Sequence, residues 1–255
     1  MEQDYLLRRD ESLTARNDRR PGLLIAAHGE RGGARRDESI IRLVEKLAAC
    51  NVACQVGYGL IKGEPSIGVA LNSLLTCKII VYPMFLADGY FAHTVLPQLL
   101  KEYGSKREGM SIRVLPSLGL DPALAELVTV KAAFAIQASG FSREKTTLVF
   151  LAHGSKKNAA SRIATEDLAN RARHYGLVHD VRVAFLDESP SLIELASEVT
   201  GPIVVVGLFA GNGLHGADDM SRLISTLRRD DILFVGNVTA FPELVDLMVA
   251  AVKRA

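Results

Sequence analysis

A short apolar run ending in His-Gly occurs twice in this chain, and the segments behind it repeat with it. Residues 23–29 read LLIAAHG and residues 148–154 read LVFLAHG. GYGLIKGEPSIGVAL (57–71) corresponds to VAFLDESPSLIELAS (183–197), and VYPMFLADG (81–89) to VVGLFAGNG (205–213), in the same order. His28 and His153 therefore stand half the chain apart. Two copies are too few for a stacked array of repeats, so the pattern predicts two similar lobes related by pseudo-twofold symmetry, with a cleft between them.

Each half alternates short β-branched runs with amphipathic stretches. Strands are expected at about 23–27, 53–59, 78–83 and 111–115, and again at 147–151, 180–185, 202–207 and 232–235. Helices are expected at about 34–49, 66–76, 92–102 and 121–137, then 158–174, 190–199, 216–228 and 241–254. Runs such as IVVVGLF are continuously apolar, as in strands of a parallel sheet covered on both faces. The expected fold class is α/β: two three-layer lobes, each with a four-stranded parallel sheet joined by right-handed crossovers. Residues 22–137 would form the first lobe, the polar segment 138–146 a linker, and 147–255 the second lobe. Half of the first twenty residues are charged, so 1–21 reads as a solvated tail or a short surface helix.

A net charge of +1 gives no global attraction to nucleic acid or to a membrane surface. No apolar run approaches the roughly 20 residues of a membrane-spanning helix, and the N-terminus lacks the apolar core of a signal peptide. The expected location is the cytoplasm. Cys50, Cys54 and Cys77 read as buried free thiols, with a metal site as the alternative.

Ligands of parallel α/β sheets bind beyond the carboxyl ends of the strands. His28, Glu64, Asp88, His153, Asp187, Glu188 and His215 all follow strands and so belong on one rim of their lobes. Imidazole suits borderline divalent ions such as Co, Ni, Zn and Fe(II). His153 and His215 follow two different strands of one lobe, and two imidazoles with open positions suit a metal that is handed on. Asp218 and Asp219 lie near His215, either as acceptors for its second ring nitrogen or as first-turn helix acids. Basic residues follow both strand-end histidines: Arg31, Arg35 and Arg36 after His28, Lys156 and Lys157 after His153.

Taken together, LAHGS (151–155) and LFAGNGLHGADDMS (208–221) resemble the two signature elements of the class II tetrapyrrole chelatases. These are the CbiX and CbiK types acting on sirohydrochlorin, related in fold to protoporphyrin ferrochelatase. The first element is a strand followed by His-Gly-Ser. The second is Phe-Leu-x-x-Gly-x-His, a short spacer and Asp-Ile-Pro, matched here by Gly213, His215 and Asp219-Met220-Ser221. The resemblance covers residues 22–255. The first lobe departs from it: in FLADGYFAHTVLP (85–97), with Gly89 aligned to Gly213, Phe91 stands opposite His215 and His93 falls two residues later.

The resemblance implies an enzyme, a lyase that inserts Co2+ or Fe2+ (Ni2+ also suits the ligands) into sirohydrochlorin or a related tetrapyrrole without a nucleotide. No Gly-Lys-Ser/Thr phosphate loop is present. It would serve cobalamin or sirohaem biosynthesis. His153 and His215 would hold the metal, although some CbiX-type proteins use the N-terminal half. His153, His28 and Glu64 would be catalytic, Glu64 as the acidic group across the cleft or else as a helix-terminal acid beside Pro65. Arg31, Arg35, Lys156 and Lys157 would pair with substrate carboxylates, of which sirohydrochlorin carries eight. Phe85, Tyr90, Phe91, Phe209 and Leu214 would offer apolar walls to the macrocycle. A monomer suffices, since the duplicated chain supplies its own cleft, and a homodimer is compatible. The alternative reading is a binding or carrier protein that holds a metal or tetrapyrrole without turnover.

Overall fold

In the computed structural model the described residues are 6–8, 20–29, 38–156, 158–209 and 217–255. They form two compact units: Met1–Leu118 with Val245–Ala255, and Gly119–Leu244.

The first unit holds β1 (Leu6–Arg8), β2 (Gly22–Ala27), α1 (Glu38–Ala49), β3 (Gln55–Leu60), α2 (Ile67–Ser73), β4 (Lys78–Pro83), α3 (Leu96–Gly104) and β5 (Ser111–Val114). Its sheet runs β1-β3-β2-β4-β5. The last four strands are parallel to one another, and β1 pairs antiparallel with the outer edge of β3. The expected four parallel strands are present. The expectation of a solvated tail or helix for residues 1–21 is corrected at Leu6–Arg8, where backbone pairing covers an otherwise open sheet edge. Every residue of β2 and β3 is buried, which is what their uninterrupted apolar runs imply. On one face of the sheet, α2 and α3 pack Ile67, Leu71, Leu96 and Leu100 against Leu24, Ile79 and Val81.

The second unit repeats the plan with α4 (Pro122–Ser139), β6 (Thr147–Ala152), α5 (Ala160–Arg173), β7 (Asp180–Phe185), α6 (Leu192–Glu198), β8 (Ile203–Gly207), α7 (Ala217–Thr226) and β9 (Ile232–Asn237). Its four strands are parallel in the order β7-β6-β8-β9. In both units the first strand of the repeat lies between the second and the third. The chain therefore reverses direction across the sheet there, and the crevice at the carboxyl ends of β2/β4 and β6/β8 is where such sheets take ligands.

The compact units do not divide at the segment 138–146 expected as the linker between repeats. α4 starts at the Asp121 N-cap, whose carboxylate accepts from Ala123 N at 2.9 Å, and ends at the left-handed Gly140. It packs on α5, β8 and β9 of the second unit. Arg171 of α5 ties its start, donating to the Asp121 and Gly119 carbonyls at 3.1 and 3.0 Å. Conversely α8 (Leu244–Lys253) belongs, from Val245 onward, to the first unit, where Arg113 donates to the Ala255 carbonyl. The last helix of each sequence half thus completes the unit of the other half, and the break falls after Leu118. The cysteines are thiols, as expected, but they are not buried: Cys50 and Cys77 are exposed and Cys54 is half-buried. Among the described residues no helix is long and apolar enough to cross a membrane.

Candidate functional site

The two strand ends share one backbone frame. After β2, Lys62 N donates to the His28 carbonyl at 2.8 Å; after β6, Asp187 N donates to the His153 carbonyl at 2.9 Å. Beyond these donors each loop passes through a cis peptide, Glu64-Pro65 or Ser189-Pro190, into a serine N-cap, Ser66 or Ser191. The next strands also correspond: Met84 N donates to the Ala26 carbonyl and Leu208 N to the Leu151 carbonyl, both at 2.8 Å. This register pairs Phe85 with Phe209; by sequence count alone Phe91 then corresponds to His215, which lies outside the described residues.

In the second unit, His153 sits at the end of a fully buried strand with its own side chain about half exposed, at 54%. The Asp187 carboxylate lies 3.5 Å from its Nδ1. The edge of Phe209 meets the imidazole at 5.9 Å between ring centres. A carboxylate on the Nδ1 side is the kind of partner that metal-binding imidazoles usually have. The loops are braced from below. Glu188 accepts from Ser155 N at 3.0 Å and from Arg162 Nη2 and Nε at 2.7 and 3.1 Å. Those bonds, the backbone donor first and the guanidinium second, hold the Glu188 carboxyl below the ordinary carboxylate range. Arg162 also donates to the Ser189 carbonyl and covers the Phe185 ring at 4.6 Å. Glu188 is therefore committed to the fold. Arg162→Ala should cost roughly 1–3 kcal/mol in urea unfolding, because it strips a partly buried carboxylate of its charged partner. Arg162→Lys, with one donor group in place of a fork, should recover only part of that. Full stability in the alanine variant would show the brace to be dispensable.

In the first unit Gly63 stands where Glu188 stands in the second. The His28 imidazole lies on the Phe91 ring, with centroids 4.2 Å apart, and Tyr90 meets Phe91 edge-on at 5.7 Å. The Lys62 ammonium is 5.4 Å from the Phe91 ring centre. Burial first, and Lys62 second, hold the His28 imidazole below its ordinary pKa, so it is neutral. Its Nδ1 is buried and has no hydrogen-bond partner among the described residues. Phe91 opens a wide turn over Phe91–Val95, in which Leu96 N donates to the Phe91 carbonyl five residues back. That turn carries His93 outward to Asp88, at 2.7 Å, with 65% of its side chain exposed. Glu64 accepts from Ser66 N at 3.1 Å, the local job of an acid beside a helix start.

The structure brings His28 to Phe91, against which Tyr90 also stands, and His153 to Phe209. It corrects two of the expected walls. Phe85 and Phe209 are 7% and 6% exposed and belong to the cores of their own units, because the chain is still within the layer of packed strands there. Tyr90 is exposed, and so is Lys156. Arg31, Arg35, Arg36, Lys157, Leu214 and His215 lie outside the described residues, as do the side chains of Asp218 and Asp219. Among the described residues no three His, Cys, Asp or Glu side chains converge as a metal cluster. Lys62 and Arg162 were missed from sequence. Lys62 was visible opposite Asp187 in KGEPS against DESPS once the prolines are aligned. Arg162 lies on a helix, and only the fold places it under the loop.

The family model described as CbiX matches residues 22–133 and 147–255, both halves of the chain. A protein of Halobacterium salinarum described as a probable sirohydrochlorin cobaltochelatase is 23% identical over 218 residues, 78% of this chain and 74% of its own length. A solved CbiX, described as the terminal enzyme for biosynthesis of siroheme in denitrifying bacteria, superposes with a TM-score of 0.76. It is 25% identical, and the match covers 92% of this chain and 99% of that one. SirB from Bacillus subtilis with Fe3+ also gives 0.76, at 17% identity, covering 92% of this chain and 95% of its own.

Proposed function

Since the chain belongs to the CbiX family, we propose that it inserts a divalent metal ion into sirohydrochlorin, with the metal held by the second unit. The observation that carries this reading is the contrast between the two strand ends. The His153 side chain is half exposed with a carboxylate near Nδ1, whereas the His28 ring packs against Phe91, the residue that the sequence alignment sets opposite His215. His153 and His215 are the ligands. Asp187 orients His153 and offsets the positive charge of the incoming ion. Co2+ and Fe2+ are both candidate metals, since one relative is described as a cobaltochelatase and SirB structures are described with Fe3+ and with cobalt.

Metal entry displaces two pyrrole N–H protons. An imidazole already bound to metal through Nε2 cannot accept one, so the protons go to a carboxylate or to water. Glu64 is the acceptor this reading assigns, because only one of its oxygens is used by its own turn. Lys156 is exposed beside the His153 strand end and pairs with a substrate carboxylate. Of the two biosynthetic contexts, cobalamin and sirohaem, the metal preference decides.

The test is insertion followed by absorbance under multiple turnover, with Co2+, Fe2+ and Ni2+ offered separately. Many equivalents of metallated product support the reading; a halt at one equivalent would make the protein a carrier. Protons and metal compete for a neutral imidazole, so raising the metal concentration should move the acid limb of the rate profile to lower pH. An acid limb that stays in place would mean that the titrating group is not a ligand.

A further inference from the structure

We propose that the first unit's strand end is a carboxylate-binding site, made by Lys62, His28 and Phe91, that seats a carboxylate of the tetrapyrrole substrate; this rests on the function proposed above. The two strand ends have one backbone frame and opposite charge. Lys62 and Asp187 make the same hydrogen bond to the carbonyl of the strand-end histidine, at 2.8 and 2.9 Å. One therefore delivers an ammonium beside its imidazole and the other a carboxylate. A cation approaching His28 meets the Lys62 ammonium and the Phe91 ring, neither of which is a metal ligand. An anion meets a favourable charge instead.

The details fit a carboxylate. Lys62 is exposed, and among the described residues no carboxylate lies within ion-pair distance of it. Its backbone is held to the strand end by the bond to the His28 carbonyl. Phe91 supplies an apolar floor 5.4 Å from the ammonium, which lowers the local dielectric and strengthens a charge-assisted hydrogen bond to a bound anion. The neutral His28 ring adds an N–H donor. A polycarboxylate macrocycle with a flat apolar face matches this combination of point charge and aromatic ring.

Two binding arms test the site. In the first, metal-free sirohydrochlorin is titrated against the full-length protein by absorbance, and Co2+ is titrated separately without tetrapyrrole. Lys62→Ala should raise the sirohydrochlorin Kd about 10-fold, and Lys62→Glu should raise it further. Lys62→Arg should stay close to wild type, and Co2+ binding should not change in any of the three. An unchanged sirohydrochlorin Kd in Lys62→Glu would overturn the proposal. So would Co2+ binding that is lost in His28→Ala. In the second arm, tricarballylate, a small tricarboxylate, is titrated while the His28 ring protons are followed by NMR. A saturable shift that disappears in Lys62→Ala supports a carboxylate site, and no shift refutes it. If wild-type protein does not bind sirohydrochlorin at all, the proposed function fails, while the second arm still decides on the site.

Discussion

His153→Ala should abolish metal insertion with the fold intact. The expected loss in kcat exceeds about 100-fold, since even groups that only support a metal ligand cost 10–100-fold when removed. The side chain is half exposed beyond the end of β6, and the strand below it is buried through Ala152 without help from the imidazole. Far-UV circular dichroism and the unfolding midpoint should therefore match wild type while initial rates collapse. His28→Ala should weaken activity less, and chiefly through KM, because its imidazole lies against Phe91 and beside Lys62. Complete loss in His28→Ala with full activity in His215→Ala would move the metal to the first unit.

The largest effect on stability is expected at Gly29. Its φ is +76, and a Cβ built there would stand 1.8 Å from the Lys62 carbonyl oxygen, a backbone atom that cannot swing aside. Gly29→Ala should cost roughly 3 kcal/mol or more, combining left-handed strain with a forced shift of the loop. Gly109 is the control. Its φ is +74, and nothing lies within 4 Å of its would-be Cβ. Gly109→Ala should cost only about 1–2 kcal/mol, the strain alone. Urea unfolding of the two variants separates the terms, and equal losses would show that the loop gives way freely.

The strands were legible because a parallel sheet covered on both faces needs continuous apolar runs, and LLIAA, TLVFLA and IVVVG supply them. The topology followed from strand–helix alternation, and the switch point from the topology. The Phe91 substitution was legible as a missing histidine, but its packing on His28 was not, since that depends on the wide turn over Phe91–Val95. Phe85 and Phe209 looked like site walls because they stand between a strand and a motif; the core extends two residues beyond each strand and takes them in. Glu188 looked like a free acid because its partner Arg162 is far along the chain. The owner of α4 and α8 could not be read locally. Both are apolar helices following the fourth strand of a repeat, and nothing in their own residues says which sheet they cover.

That exchange of helices puts inheritance and folding out of phase. The repeat that was duplicated ends near residue 146, whereas the unit that packs together ends at Leu118 and resumes at Val245. A chain cut at the repeat boundary would leave each piece holding a helix whose core lies in the other piece. The two pieces would then need each other, as the halves of a split reporter do. Once such a trade is made, neither copy can be discarded or shuffled alone. The first copy therefore stays in the protein whether or not it binds metal, and its strand end is free to change sign and take up a different ligand.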